Sequence, residues 1–217
     1  MDIEGSGSER RPALVWATLI AGASLLAVAV VLVVNVLIRP ADAAVARPPL
    51  QGTETFSNHA LTAGWFALPD QYGRLITRNT MRGRVWAVTF LDSHCVKRCP
   101  VEAAELATVQ RMLGGARSPM AIVVVSVNPW LDTPASAKAF IRKEHLVGRV
   151  LWLMGSPARL APVWFRYGIE VRRAVDVVHT TVVYLVDRSG RVRVADAVPF
   201  LTGQLAASER YLAGQRP

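Results

Sequence analysis

An α/β sandwich is the fold class the sequence predicts, on three observations. Uncharged runs rich in β-branched residues recur at strand length, clearest at 85–90 and 121–127, and read as strands buried on both faces. Stretches of helical length opened by Pro alternate with them, at 100–113, 134–144 and 157–167. The last two apolar runs, 182–187 and 191–195, are joined by Arg188-Ser189-Gly190, which reads as a hairpin turn. Composition agrees. A chain of 217 residues, 52% hydrophobic and 19% charged, excludes a disordered protein, a collagen-like repeat and a disulfide-rich miniprotein.

From Pro12 through Ile38 there is no charged residue. About 20 apolar residues at 1.5 Å rise span a bilayer, so residues 13–38 are expected to form a single transmembrane anchor behind a short cytoplasmic tail, 1–12. A secretory signal peptide competes, because Ala44-Val45-Ala46 resembles a cleavage site. Its apolar region would be only about 7 to 15 residues, which favours the uncleaved anchor. Asp2, Glu4 and Glu9 argue against a mitochondrial transit peptide and for a bacterial protein. Arg10 and Arg11 before the span are matched by Arg39 and Arg47 after it, so basic residues do not set the orientation. A short tail inside places residues 40–217 on the extracytoplasmic, periplasmic side of the cell membrane. Residues 39–63 mix Pro, Ala and polar residues without periodicity and read as a tether.

The remaining 64–217 is long enough to bury a full core. Residues 65–68 and 75–77 flank Asp70-Gln71-Tyr72-Gly73, a hairpin with a Gly turn. Strand 85–90 leads to helix 100–113, which Gly114-Gly115 closes. Strand 121–127, helix 134–144, strand 150–154 and helix 157–167 follow, then the 182–195 hairpin and a last helix at 202–212. A parallel portion that ends in an antiparallel hairpin and a helix is the thioredoxin-like arrangement.

Basic residues outnumber acidic ones by 25 to 16, giving a net charge of +9. The excess is scattered and no block of five or six like charges occurs, so a solvated basic surface is expected and no nucleic-acid partner.

Chemistry concentrates on the only two cysteines, Cys95 and Cys99, spaced C-V-K-R-C and followed by Pro100. They stand where a buried strand meets a helix. Helix N-terminal N–H groups favour a thiolate there, and Lys97 and Arg98 add positive charge. Residues i and i+4 of a helical turn share a face, so the two sulfurs are able to converge on one metal ion or to pair as a disulfide. A structural disulfide closing so small a loop would add little stability. His59 and His145 read as surface residues, and His94 points away from Cys95 if the chain is extended. His179 precedes the strand at 182, whose approach lies beside the cysteine helix in a thioredoxin-like sheet. Two thiolates and an imidazole suit Cu(I) and, with a fourth ligand, Cu(II). Zinc would want a fourth protein ligand, for which neither Asp92 nor His94 is obviously placed.

Here the sequence resembles a family. Leu68-Pro69-Asp70-Gln71-Tyr72-Gly73, Thr89-Phe90, the C-x-x-x-C-P of Cys95, Cys99 and Pro100, and the H-x-x-x-x-Y-L-x-D-x-x-G of His179, Tyr184, Leu185, Asp187 and Gly190 are similar to the Sco/SenC family. The similarity covers about residues 64 to 212. It implies a membrane-anchored, thioredoxin-fold copper metallochaperone associated with assembly of the dinuclear copper centre of cytochrome c oxidase. It also implies copper ligation by Cys95, Cys99 and His179. The implied partners are a cuproprotein recipient, such as cytochrome c oxidase subunit II, and a protein that reduces the dithiol. The chain departs from the family at Val96-Lys97-Arg98, where Pro-Asp usually follows the first cysteine. The alternative is a membrane-tethered thiol-disulfide oxidoreductase in which Cys95 attacks a partner disulfide and Cys99 resolves it. Such reductases use C-x-x-C and carry a cis-Pro where this chain has Thr181, which favours the metal reading.

Overall fold

The computed structural model describes residues 30, 50–56, 61–173 and 177–215. The chain divides into two compact units, Met1–Arg47 and Pro48–Pro217, and the second carries the sheet. Among the described residues no helix is long and apolar enough to cross a membrane. The tail and span expected at 1–12 and 13–38 lie outside the described residues, apart from a helical Val30.

One six-stranded sheet organises the domain. Its strands are β1 (Glu54–Thr55), β4 (Trp86–Leu91), β5 (Ala121–Ser126), β6 (Val150–Leu153), β9 (Val182–Val186) and β10 (Val192–Ala197), in the spatial order β1-β10-β9-β4-β5-β6. The β4–β5 and β5–β6 pairs are parallel, whereas β9 runs antiparallel to both β4 and β10. Parallel neighbours need crossovers. Helix α1 (Arg98–Met112) makes the first and α2 (Pro134–Lys143) the second, while α3 (Pro157–Arg166) leads away from β6 and α4 (Thr202–Gly214) closes the chain. Two small ribbons stand apart, β2 (Ala67–Pro69) with β3 (Leu75–Thr77), and β7 (Val171–Arg172) with β8 (Val178–His179).

The central strands are fully buried because each face meets a separate core. Ala87, Ile122 and Val124 alternate inward against Leu106 of α1, Phe140 of α2 and Leu205 of α4. Trp86, Val88, Phe90, Val123 and Val125 point the other way, onto Leu160 and Trp164 of α3 and onto Phe66, Leu68 and Ile76 of the first ribbon. Period-2 alternation thus supplies two apolar faces from one uncharged run. Thr89 falls on the α1 side of this alternation.

The expected helices and strands are present with ends shifted by one or two residues, and two differences reach the site. Helix α1 begins at Arg98, so Cys99 sits inside its first turn. The first-turn N–H groups have no intrahelical partner, so Pro100 is tolerated in that turn. The β7–β8 ribbon was not anticipated, because two-residue strands carry no periodicity. A third difference lies in the stretch expected as tether. Thr55 and Glu54 pair with Val194 and Ala195, and the Thr53 N–H donates to Asp196 Oδ1 at 2.7 Å. Backbone pairing of this kind leaves no mark in hydropathy.

Candidate metal and redox centre

The centre lies at the C-terminal ends of β4 and β5. After Leu91 the chain turns at Asp92, whose Oδ1 accepts from the His94 N–H at 2.8 Å and whose carbonyl accepts from Cys95 N–H at 3.2 Å. Ser93 fastens this turn to the loop after β5: its N–H and Oγ both donate to Asp132 Oδ1, at 3.0 and 2.5 Å. The second Asp132 oxygen accepts from Ser126 Oγ at 2.5 Å. Burial raises the Asp132 carboxyl despite these donors.

Cys95 is half-buried and Cys99 fully buried, and both are free thiols. The Cys99 N–H points at Cys95 Sγ, 3.4 Å away. The hydrogen bond from the Cys99 thiol is the largest influence lowering Cys95, to about 5, and backbone N–H groups of Cys99, Lys97 and Arg98 act in the same direction. Cys99 is pushed the opposite way, by holding the shared proton and by burial. The pair is therefore a thiolate on the outer sulfur and a thiol on the inner one near neutrality.

His179 reaches the pair from the far side. Its Nε2 lies 3.8 Å from Cys99 Sγ, and its Nδ1 lies 2.9 Å from the Thr180 carbonyl oxygen. A carbonyl only accepts, so Nδ1 carries the proton and Nε2 keeps its lone pair turned to the thiol. This is the usual support of a metal-binding imidazole. Cys99 is the shared member of the set, touching Cys95 on one side and His179 on the other.

Among the described residues, three His, Cys, Asp or Glu donors that all lie within 4.8 Å of one another occur at Asp92, His94 and Asp132. The Cys95, Cys99 and His179 donors do not meet that span, so their closure on one ion requires side-chain rotation. In that trio His94 is exposed, its backbone N–H donates to Asp92 Oδ1, and its Nδ1 lies 3.8 Å from Asp92 and 3.7 Å from Asp132, beyond hydrogen-bond distance.

Sequence reasoning passed over Glu102. It sits one turn after Cys99, is fully buried and meets Thr89 Oγ1, which also lies 3.2 Å from the Val182 carbonyl oxygen. Burial pushes the Glu102 carboxyl up to about 8. A protonated Glu102 donates to Thr89, which then donates to Val182, so the neutral form completes a chain from α1 to β9. Its other oxygen, Oε2, has no hydrogen-bond partner among the described residues. The available signal was its place between Cys99 and Leu106 on the buried stripe of the helix.

The structure thus brings together a half-buried and a buried thiol at a helix start and an imidazole from the approach to β9. The family model described as SCO1/SenC matches residues 54–206. The chain belongs to the SCO1/SenC family. Among SCO1/SenC relatives, the SCO2-like protein RP587 of Rickettsia prowazekii is 23% identical over 154 residues, covering 67% of this chain and 74% of the relative. The structure of Bradyrhizobium japonicum ScoI with copper bound is similar with a TM-score of 0.61 at 29% identity, over 70% of this chain and all of that one, 100%. A SCO1/SenC family lipoprotein from Bacillus anthracis shares the fold with a TM-score of 0.65 at 24% identity, over 73% of this chain and 99% of that one. The SCO1/SenC match begins at β1 and ends in α4, so the whole sheet belongs to it.

Proposed function

We propose that this SCO1/SenC protein is a copper metallochaperone that holds copper on Cys95, Cys99 and His179 and delivers it to an extracytoplasmic cuproprotein such as cytochrome c oxidase. The observation that carries the reading is the Nε2 lone pair of His179 turned to Cys99 while Nδ1 is tied to the Thr180 carbonyl. The donor set fits copper: two soft sulfurs, one of them with its thiol lowered, and an imidazole whose Nε2 faces the inner sulfur. The relative from Bradyrhizobium japonicum, seen with copper bound, supports it. Copper is the cargo here, and the chain's part is to present the donors and give them up to a recipient. Loading releases the proton of the Cys99 thiol and needs the reduced pair, so a thiol reductant is the second partner.

The apolar run at 13–38 supports a membrane anchor with the domain on the extracytoplasmic side. The Bacillus anthracis relative is itself a lipoprotein, and a domain held at a membrane suits delivery there. A reporter active only outside the cytoplasm, fused after Pro217, should be active. A silent reporter on an intact fusion reverses the topology.

A second reading, thiol-disulfide exchange, is favoured by one observation: the outer, half-buried Cys95 is the low-pKa sulfur and the inner Cys99 the buried one. That is the polarity of an attacking and a resolving cysteine. Copper loading decides between them. Reduced protein should take up one Cu(I) per chain and disulfide protein far less, whereas a reductase would load poorly in both states.

A further inference from the structure

The SCO1/SenC helix α1 opens against the rules of helix stability. Lys97 is its N-cap and makes no side-chain cap, Arg98 is its first residue, and no acidic residue stands in the first turn. The N-terminus of a helix carries partial positive charge and prefers carboxylates, so two cations there are unfavourable for the helix. Locally unfavourable choices of this kind mark function.

The surroundings extend the pattern. Between the two cysteines Val96 is 78% exposed, and Val101 on the next turn and Leu131 on the loop after β5 are exposed as well. On the other side Arg173, at the end of β7, lays its guanidinium over the Trp130 ring, 5.0 Å from the centroid. The pairing Val171↔His179 makes the imidazole that meets Cys99 part of the same cation-carrying ribbon. The acids of the same segments are turned inward: the Asp92 and Asp132 side chains are only 9% and 1% exposed. Among the described residues of 92–101, 127–133 and 169–180, the exposed charged side chains are Lys97, Arg98, Arg172, Arg173 and a single carboxylate, Glu170. Among the described residues the mouth of the centre therefore exposes Val96, Val101 and Leu131 together with more cations than carboxylates.

We propose that this rim of the centre is a docking surface for the copper-accepting protein, and that the face it takes carries Asp and Glu together with exposed apolar side chains. The inference rests on the chaperone reading and adds the recognition chemistry. Opposed charge steers encounter and fixes orientation, and the exposed Val96 and Leu131 bury once the two faces meet. An anionic membrane surface would also attract these cations. It would cover the sulfurs instead of opening them to a recipient, so the protein partner is favoured.

The test is Cu(I) transfer from the loaded full chain, in neutral detergent, to the apo copper domain of cytochrome c oxidase subunit II from the same organism. The rate should fall at least about tenfold between about 20 mM and about 300 mM salt, because rim charges are screened over that range. Removal of copper by a small uncharged chelator should not change with salt. Reversing the rim in Lys97→Glu with Arg98→Glu should slow transfer about tenfold at low salt and flatten its salt dependence. Transfer that ignores salt and the reversal overturns the docking proposal and leaves the chaperone reading standing. No transfer at any salt, with the chelator still able to take copper, overturns delivery to this recipient and the docking surface with it. Binding of the domain to phosphatidylglycerol vesicles that the reversal abolishes, with salt-independent transfer, reassigns the rim to the membrane and overturns the proposal.

Discussion

His179 Nε2 stands 3.8 Å from Cys99 Sγ across a sequence separation of eighty residues. Two pieces of backbone create that meeting. The β7–β8 ribbon pairs Val171 with His179, and the antiparallel pairing of Val88 with Tyr184 brings the start of β9 beside the end of β4. The Thr180 carbonyl then fixes which nitrogen faces the sulfur. Fold and tautomer together turn His179 Nε2 to the Cys99 sulfur, where a histidine at a strand start would otherwise be a surface residue.

Cys95 should react as a thiolate well below neutrality. With its thiol lowered to about 5, alkylation of the reduced, copper-free protein should already be near its plateau at pH 7, and Cys99 should lag far behind. Peptide mapping after a short pulse of iodoacetamide gives the order. Equal labelling of both cysteines, with a midpoint near the ordinary thiol value, would contradict the shared-proton pair.

The two sulfurs should also pair reversibly in air. Each is free, and Cys95 Sγ already accepts from the Cys99 N–H. Mass spectrometry of unreduced protein should show the loss of two hydrogens, restored by reductant. Two freely alkylatable thiols after oxidation would mean that the inner cysteine cannot turn to the outer one.

Glu102 should make stability fall as pH rises. Its folded pKa, raised by burial to about 8, exceeds the ordinary value of 4.5. For an acid so shifted the stabilising contribution is complete below the unfolded value and is lost as pH climbs through the folded one. Between pH 5 and pH 8 the copper-free domain should lose stability at up to about 1.4 kcal/mol per pH unit. Glu102→Gln keeps a donor for Thr89 and should remove most of that slope in urea melts. An unchanged slope would locate the titration elsewhere.

Gln71 should matter for stability and not for copper. It is buried, and it acts as a short strand against the sheet's edge: Nε2 donates to the Val150 carbonyl at 2.8 Å and Oε1 accepts from the Trp152 N–H at 2.7 Å. Gln71→Ala leaves both backbone groups unpaired, at a cost of about 2 kcal/mol or more. Thermal unfolding should show the loss while Cu(I) affinity stays at the wild-type value.

Much of this was legible because central strands announce themselves. The uncharged runs at β4 and β5 are buried on both faces, and Pro134 and Pro157 mark where α2 and α3 begin. Cys95, Cys99 and His179 were legible as residues, since motif spacing survives where hydropathy is silent. Contacts that belong to no periodic element were not. The edge strand β1 rests on backbone pairing and the Asp196 carboxylate, and the Ser93–Asp132 tie joins two loops thirty-nine residues apart. Glu102 was hidden for the opposite reason: a carboxyl on an apolar stripe reads as a surface residue until Thr89 is seen opposite it.

The most direct measurement is Cu(I) affinity of reduced His179→Ala in competition with a Cu(I) chelator, alongside wild type and Cys99→Ser. Loss of one of three donors should weaken copper at least about tenfold, as loss of a metal's close partners does. Cys99→Ser should lose both tight copper binding and disulfide formation. Wild-type affinity and full occupancy in His179→Ala would contradict the ligand set, and would leave His94 as the nearby imidazole to test.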